Sequence, residues 1–91
     1  MPRYYLHIRN GTGFVADPEG TVVPSLEEAR LRAIEGARSL LSAELCTGEL
    51  DLRGRIEIAD ERNHVVLVVP FHNAVRILTG ELSPETAGAN E

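Results

Sequence analysis

The sequence predicts an α+β domain in which an antiparallel sheet of about four short strands packs on one long helix, in the order β-β-α-β-β. Three observations carry that expectation. Two segments, residues 3–9 and 55–60, alternate apolar and polar residues with period two. Residues 26–45 carry an apolar stripe at a period of 3.6 behind a helix-capping signal. Glycine, proline and asparagine punctuate the boundaries between them.

In the first segment Tyr4, Leu6 and Ile8 fall on one face and Tyr5, His7 and Arg9 on the other. That is the pattern of a strand buried on one side. Asn10-Gly11 is a favoured hairpin dipeptide, because both central residues of a type I′ turn need positive φ. Phe14 to Asp17 then reads as the returning strand, and Pro18-Glu19-Gly20 as the turn that ends it. Thr21 to Val23 can add a short extended stretch before the helix.

Ser25-Leu26-Glu27-Glu28 has the form of a capping box, with the Ser25 hydroxyl accepting from the Glu28 amide and the Glu28 carboxylate reaching back to the Ser25 amide. From there Leu26, Ala29, Ala33, Ile34, Ala37, Leu40, Leu41 and Leu45 line one helical face, with Glu28, Arg32, Glu35, Ser39 and Ser42 opposite. Glu28 and Arg32 form a favourable i,i+4 pair. Arg30 lies near the apolar stripe, where its stem can snorkel, and Leu31 lies near the polar face. Gly48 is placed to end the helix in a left-handed cap.

Glu49 to Gly54 is a polar connection, Arg55 to Asp60 alternates again with Ile56 and Ile58 inward, and Glu61 to His64 makes the next turn. The last strand, Val65 to Val69, is apolar at every position, which predicts burial on both faces. One helix covers only one face of a sheet. Shielding for Val66 and Val68 must therefore come from the segment His72 to Leu78, which can form a short C-terminal helix, from a second copy of the chain, or from another protein. Residues 1–79 are expected to form a single domain, with residues 80–91, rich in Ser, Pro, Thr, Gly and Asn, as a disordered tail.

Composition narrows the function classes. The chain has 91 residues, a formal charge of -5 from 14 acids against 9 bases, 4% aromatics and no Trp. Phosphate-backbone binding needs concentrated positive surface and base stacking needs aromatics, so a nucleic-acid-associated regulatory role, resting on Arg3, Arg9, Arg53 and Arg55, is the alternative reading only. Every base is Arg, which reflects genome composition more simply than selection for guanidinium forks. A single cysteine forbids an internal disulfide, and no secretory or membrane-spanning segment is apparent, so the cytoplasm is the expected compartment.

No catalytic constellation is visible. Cys46 falls in the last helical turn, where the macrodipole opposes a thiolate, and reads as a small, partly buried hydrophobe. His7, His64 and His72 lack the spacing of a metal site; His7 belongs to a polar sheet face and His64 to a turn. Asn10-Gly11-Thr12-Gly13 resembles a phosphate loop only superficially, since it joins two strands rather than leading into a helix. Ser25 is committed to capping, and Ser39 and Ser42 lie in no nucleophile elbow. Asp17, Glu19, Asp51, Asp60 and Glu61 cluster in turns, as turn chemistry requires. Neither an enzyme nor a cofactor is expected. The leading expectation is a non-enzymatic interaction module, homodimeric or binding a small protein partner through the sheet face that carries Tyr5, His7, Val66 and Val68.

The opening Pro2-Arg3-Tyr4-Tyr5-Leu6-His7-Ile8-Arg9-Asn10-Gly11, Asp17-Pro18-Glu19-Gly20, Gly54-Arg55-Ile56-Glu57-Ile58-Ala59-Asp60 and Val68-Val69-Pro70-Phe71 together resemble an uncharacterised family of short bacterial proteins, domain of unknown function 6894, over about residues 2–76. The resemblance implies no activity. That family commonly has a glycine in the turn before the last strand, where this chain has Asn63-His64. A weaker, fold-level similarity is to HicB antitoxin modules, whose helix opens with the Leu-Glu-Glu-Ala found here at Leu26 to Ala29. Such modules occlude a small toxin, and the similarity implies an interaction function by analogy alone.

Overall fold

The computed structural model describes residues 1–80. The expected tail therefore lies, apart from Gly80, outside the described residues. Five strands and one helix follow in the order β1 (Arg3–Asn10), β2 (Gly13–Val15), β3 (Thr21–Val22), α1 (Leu26–Cys46), β4 (Arg55–Ala59) and β5 (Val65–Pro70), ending in a 3-10 turn at Phe71–Asn73. The fold is α+β, with five strands where about four were expected, and the C-terminal helix is reduced to that single turn. Among the described residues no helix is long and apolar enough to cross a membrane.

All pairings are antiparallel, in the order β2-β1-β4-β5, with β3 also on β1. The additional strand arises because β1 is long enough to pair twice along one edge. Its C-terminal half holds β2 through Ile8↔Val15 and Asn10↔Gly13, and its N-terminal half holds β3 through Arg3↔Val22. In the gap between them Asp17 substitutes for a strand: its Oδ2 accepts from the Leu6 amide at 3.1 Å and its Oδ1 from the Gly20 amide at 3.0 Å. An amide that would otherwise lack a partner is thus satisfied by a carboxylate.

The first hairpin departs from the expected geometry. Asn10 pairs with Gly13 as part of the ladder, so Gly11 and Thr12, not Asn10 and Gly11, form the two-residue loop, and Asn10 does not take positive φ. Asn10 acts instead through its side chain, whose Oδ1 accepts from the Thr12 amide at 2.9 Å. Phe14 to Asp17 shortens accordingly, the strand ending at Val15.

Ser25 caps α1, its hydroxyl accepting from the Glu28 amide at 3.1 Å. The other half of the expected box is replaced by an ion pair, the Glu28 carboxylate standing 3.5 Å from Arg32. Arg30 likewise folds back onto Glu27, at 2.6 Å, rather than along the apolar stripe. The C-terminus is a Schellman motif: Gly48 has φ of 88°, its amide donates to Leu45, and the Glu49 amide donates to Glu44.

The core is a stripe of small residues against a sheet of large ones. Ala29, Ala33, Ala37 and Leu41, each four apart, are buried against Ile56, Ile58, Val69 and Phe71. Methyl-sized side chains let the helix axis approach the sheet closely. The contact is consequently narrow, and Leu40 and Leu45, expected on the apolar stripe, are exposed. Cys46 is exposed too, rather than partly buried, because it follows the last buried helical residue by more than a turn.

Candidate functional site

The two faces of the sheet differ. One packs on α1 through Tyr4, Leu6, Ile8, Ile56, Ile58, Leu67 and Val69. The other is open, and register assigns its residues, since directly opposed residues share a face. Tyr5 opposes Ala59, which opposes Val65; His7 opposes Glu57, which opposes Val68; Arg9 opposes both Arg55 and Phe14.

The structure thus brings Tyr5, His7 and Val68 onto one face, as expected, and corrects the reading of the last strand. β5 is an edge strand, buried on its helix side only. The register shift between Ile58 and Ala59 leaves Val66 without an opposite residue, and Val65, Val66 and Val68 are 50%, 43% and 42% exposed. An all-apolar run alone does not distinguish a doubly covered strand from an edge strand with one dry face.

Nor does the C-terminal segment shield them. Phe71 and Ala74 turn into the core, the Ala74 carbonyl accepts from Arg38 Nε at 2.6 Å, and Val75 and Ile77 line an apolar groove with Leu41, Leu45 and Leu50. The chain therefore passes onto the helix side of the sheet. Of the three sources of shielding, this segment is excluded by its path.

Along β1 the open face carries an aromatic row. The Tyr5 and His7 rings stack at 6.3 Å with 15° between planes, His7 meets Phe14 at 5.5 Å, and the Arg9 guanidinium lies 4.5 Å over the Phe14 ring. His7 is fixed from behind, its Nδ1 accepting from the Asp17 amide at 3.0 Å. That bond places the proton of the neutral ring on Nε2.

Beyond the aromatics, Arg9 and Arg55 both bind Glu57 Oε2, at 3.1 and 2.9 Å. Burial raises the Glu57 pKa and the two guanidinium hydrogen bonds outweigh it, so the carboxyl is held below its ordinary value. Of the four arginines Arg3, Arg9, Arg53 and Arg55, Arg9 and Arg55 thus meet on one carboxylate. Arg53 is instead paired with Asp51 at 2.9 Å, and Arg3 donates to the Glu19 carbonyl at 2.7 Å.

At the opposite end of the strands Tyr5, His7, Asp17, Asp60, Glu61 and Asn63 border a shallow depression of about 230 Å³. Two of its three acids are engaged by backbone amides, Asp60 Oδ1 accepting from Arg62 and His64 and Asp17 closing the β1 gap, while Glu61 is exposed at the rim. His64 stands in the turn, as expected, and His72 is exposed beyond β5. Phe14, Arg55 and Glu57 also belong to the open face, and no pattern in the sequence pairs Phe14 with Arg9; only the hairpin register does.

Comparison with curated proteins and with solved structures returned no match. A family model matches residues 3–72, from the start of β1 into the 3-10 turn, and so spans both halves of the sheet and the helix between them. The chain belongs to the family described as Domain of unknown function (DUF6894).

Proposed function

We propose that this chain is a small non-enzymatic protein-interaction module whose working surface is the open sheet face. The observation that supports the reading is that Val65, Val66 and Val68 stand half exposed on β5, on the sheet face that also carries the aromatic row of Tyr5, His7 and Phe14 across β4, with no described element over them. Scattered surface hydrophobes are ordinary, but one sheet face that carries both an aliphatic and an aromatic row, with charged groups toward its ends, has the mixed composition of an interface. Asp17, Glu57 and Asp60 around it are engaged by backbone amides and guanidinium groups, which supports a structural role for them.

The test is a pull-down of tagged protein from nuclease-treated native lysate, comparing wild type with the Val66→Glu, Val68→Glu double variant. The expected result is a protein, another copy included, retained by wild type and lost by the variant. Identical recovery by both would remove the face from consideration.

A further inference from the structure

We propose that the partner of the open face is a second copy of this chain, the two sheets packing face to face about a two-fold axis that lies between them and runs across the strands. This rests on the interaction-module reading and specifies its partner. The argument is one of charge placement. Arg9 and Arg55 oppose each other at one end of the β1–β4 pair, while Asp60 and Glu61 follow β4 at the other, bordering the depression that Tyr5 and His7 line. From Arg55 to Asp60 is five residues, about 17 Å of strand.

A two-fold axis across the strands reverses strand direction and preserves strand order. It sets the Arg9 and Arg55 end of each copy over the Asp60 and Glu61 end of the other, twice, and lays the β5 valines of one copy on those of the other. An axis along the strands would instead stack arginine on arginine. Glu57, nearest the middle, has its side chain only 12% exposed beneath its two guanidinium partners, so it brings little free charge to the centre.

Pairing through the β5 edge is the competing geometry, and β5 is blunted against it. Pro70 has no amide to donate, and the irregularity at Val66 interrupts the ladder near the other end. The face is small: strands about 4.8 Å apart and roughly six residues long give sides of roughly 15 to 20 Å. Such an area falls short of a standard stable interface, so the dimer is expected to be weak, dissociating at about 10 to 100 µM.

The experiment is sedimentation equilibrium at low ionic strength on wild type, Arg55→Glu, Glu61→Arg, and an equimolar mixture of the two variants. Both side chains are on the surface, and Glu57 keeps Arg9 when Arg55 is changed. Each variant alone should dimerise about tenfold more weakly than wild type, because the change abolishes the charge contrast between its two ends, and the mixture should recover wild-type affinity as a heterodimer. Unaltered dimerisation of the variants, or a mixture no tighter than its components, overturns this packing.

A wild type that remains monomeric at about 100 µM overturns the second copy as partner. If the lysate partner is still lost with Val66→Glu, Val68→Glu, the interaction face itself stands. Monomer and no such partner together end both readings.

Discussion

Gly54 lies against the ring of Phe71 so closely that a Cβ on Gly54 would stand 2.5 Å from the ring and 2.9 Å from the Arg9 carbonyl. The same two residues are joined along the backbone, the Phe71 amide donating to the Gly54 carbonyl at 2.9 Å. Phe71 is 1% exposed and among the largest fully buried side chains. The glycine that opens β4 and the phenylalanine that closes β5 are therefore one device: the missing side chain makes the slot that the ring fills.

Gly54→Ala is expected to destabilise the fold by about 1–3 kcal/mol, since neither a packed ring nor a strand carbonyl can yield cheaply. Urea denaturation measures the loss. In a double-mutant cycle with Phe71→Leu the two changes should be strongly non-additive, the smaller flexible side chain relieving part of the clash. Additive effects would mean that the contact does not determine the cost.

The β4–β5 turn makes a second prediction. Asn63 has φ of 65°, and its amide donates to the Asp60 carbonyl while the Asp60 amide donates to His64. A positive φ is what a glycine would supply here, and asparagine is the residue that best tolerates it. Asn63→Gly should leave thermal stability nearly unchanged, whereas Asn63→Val should cost about 1–2 kcal/mol. Equal stability of the two variants would contradict the left-handed turn.

Removing the helix cap should be costly in the ordinary way. Ser25→Ala loses the acceptor for the Glu28 amide and should destabilise by about 1 kcal/mol, with Ser25→Asp close to wild type. Thermal melts followed by circular dichroism suffice to compare the three proteins.

Acid stability should depend on Asp51. Hydrogen bonds from the Arg53 side chain and backbone hold its carboxyl down at about 2 against an ordinary value of 3.8. A carboxyl whose folded pKa is depressed stabilises the fold fully above its unfolded value and loses that contribution as pH falls through the folded one. Stability should therefore decline between about pH 4 and pH 2, and Asp51→Asn should flatten that part of the profile. Asp60, lowered mainly by the His64 amide, adds a slope of the same sign. A profile unaltered by Asp51→Asn would show that the Arg53 contact does not persist in solution.

The imidazole of His7 offers a check on the open face. Because Nδ1 accepts from the Asp17 amide, the neutral ring should be the Nε2-H tautomer, which long-range nitrogen-proton correlation spectra distinguish directly. The opposite tautomer would place the Asp17 loop elsewhere.

Local rules made much of this protein legible without coordinates. The alternation of Tyr4, Leu6 and Ile8, the Ser25 cap, the alanine stripe and the Gly48 terminus are each fixed by interactions within a few residues, and they appear where the sequence puts them. The turn roles of Asp17, Asp51 and Asp60 are local in the same sense.

What the sequence leaves open are the relations set by residues far apart in the chain. Whether Val65 to Val69 has one dry face or two depends on where the strand sits in the sheet, and β5 lies at the edge. The merging of Arg9 and Arg55 around Glu57 depends on the β1–β4 register, and the depth of Gly54 on a ring seventeen positions later. The path of Ala74 to Ile77 toward the helix side, which leaves the valines open, follows from Phe71 seeking its slot. Hydrophobic periodicity reports that a side chain must be buried, but which neighbour buries it is decided only when the strands pair and the helix closes over them.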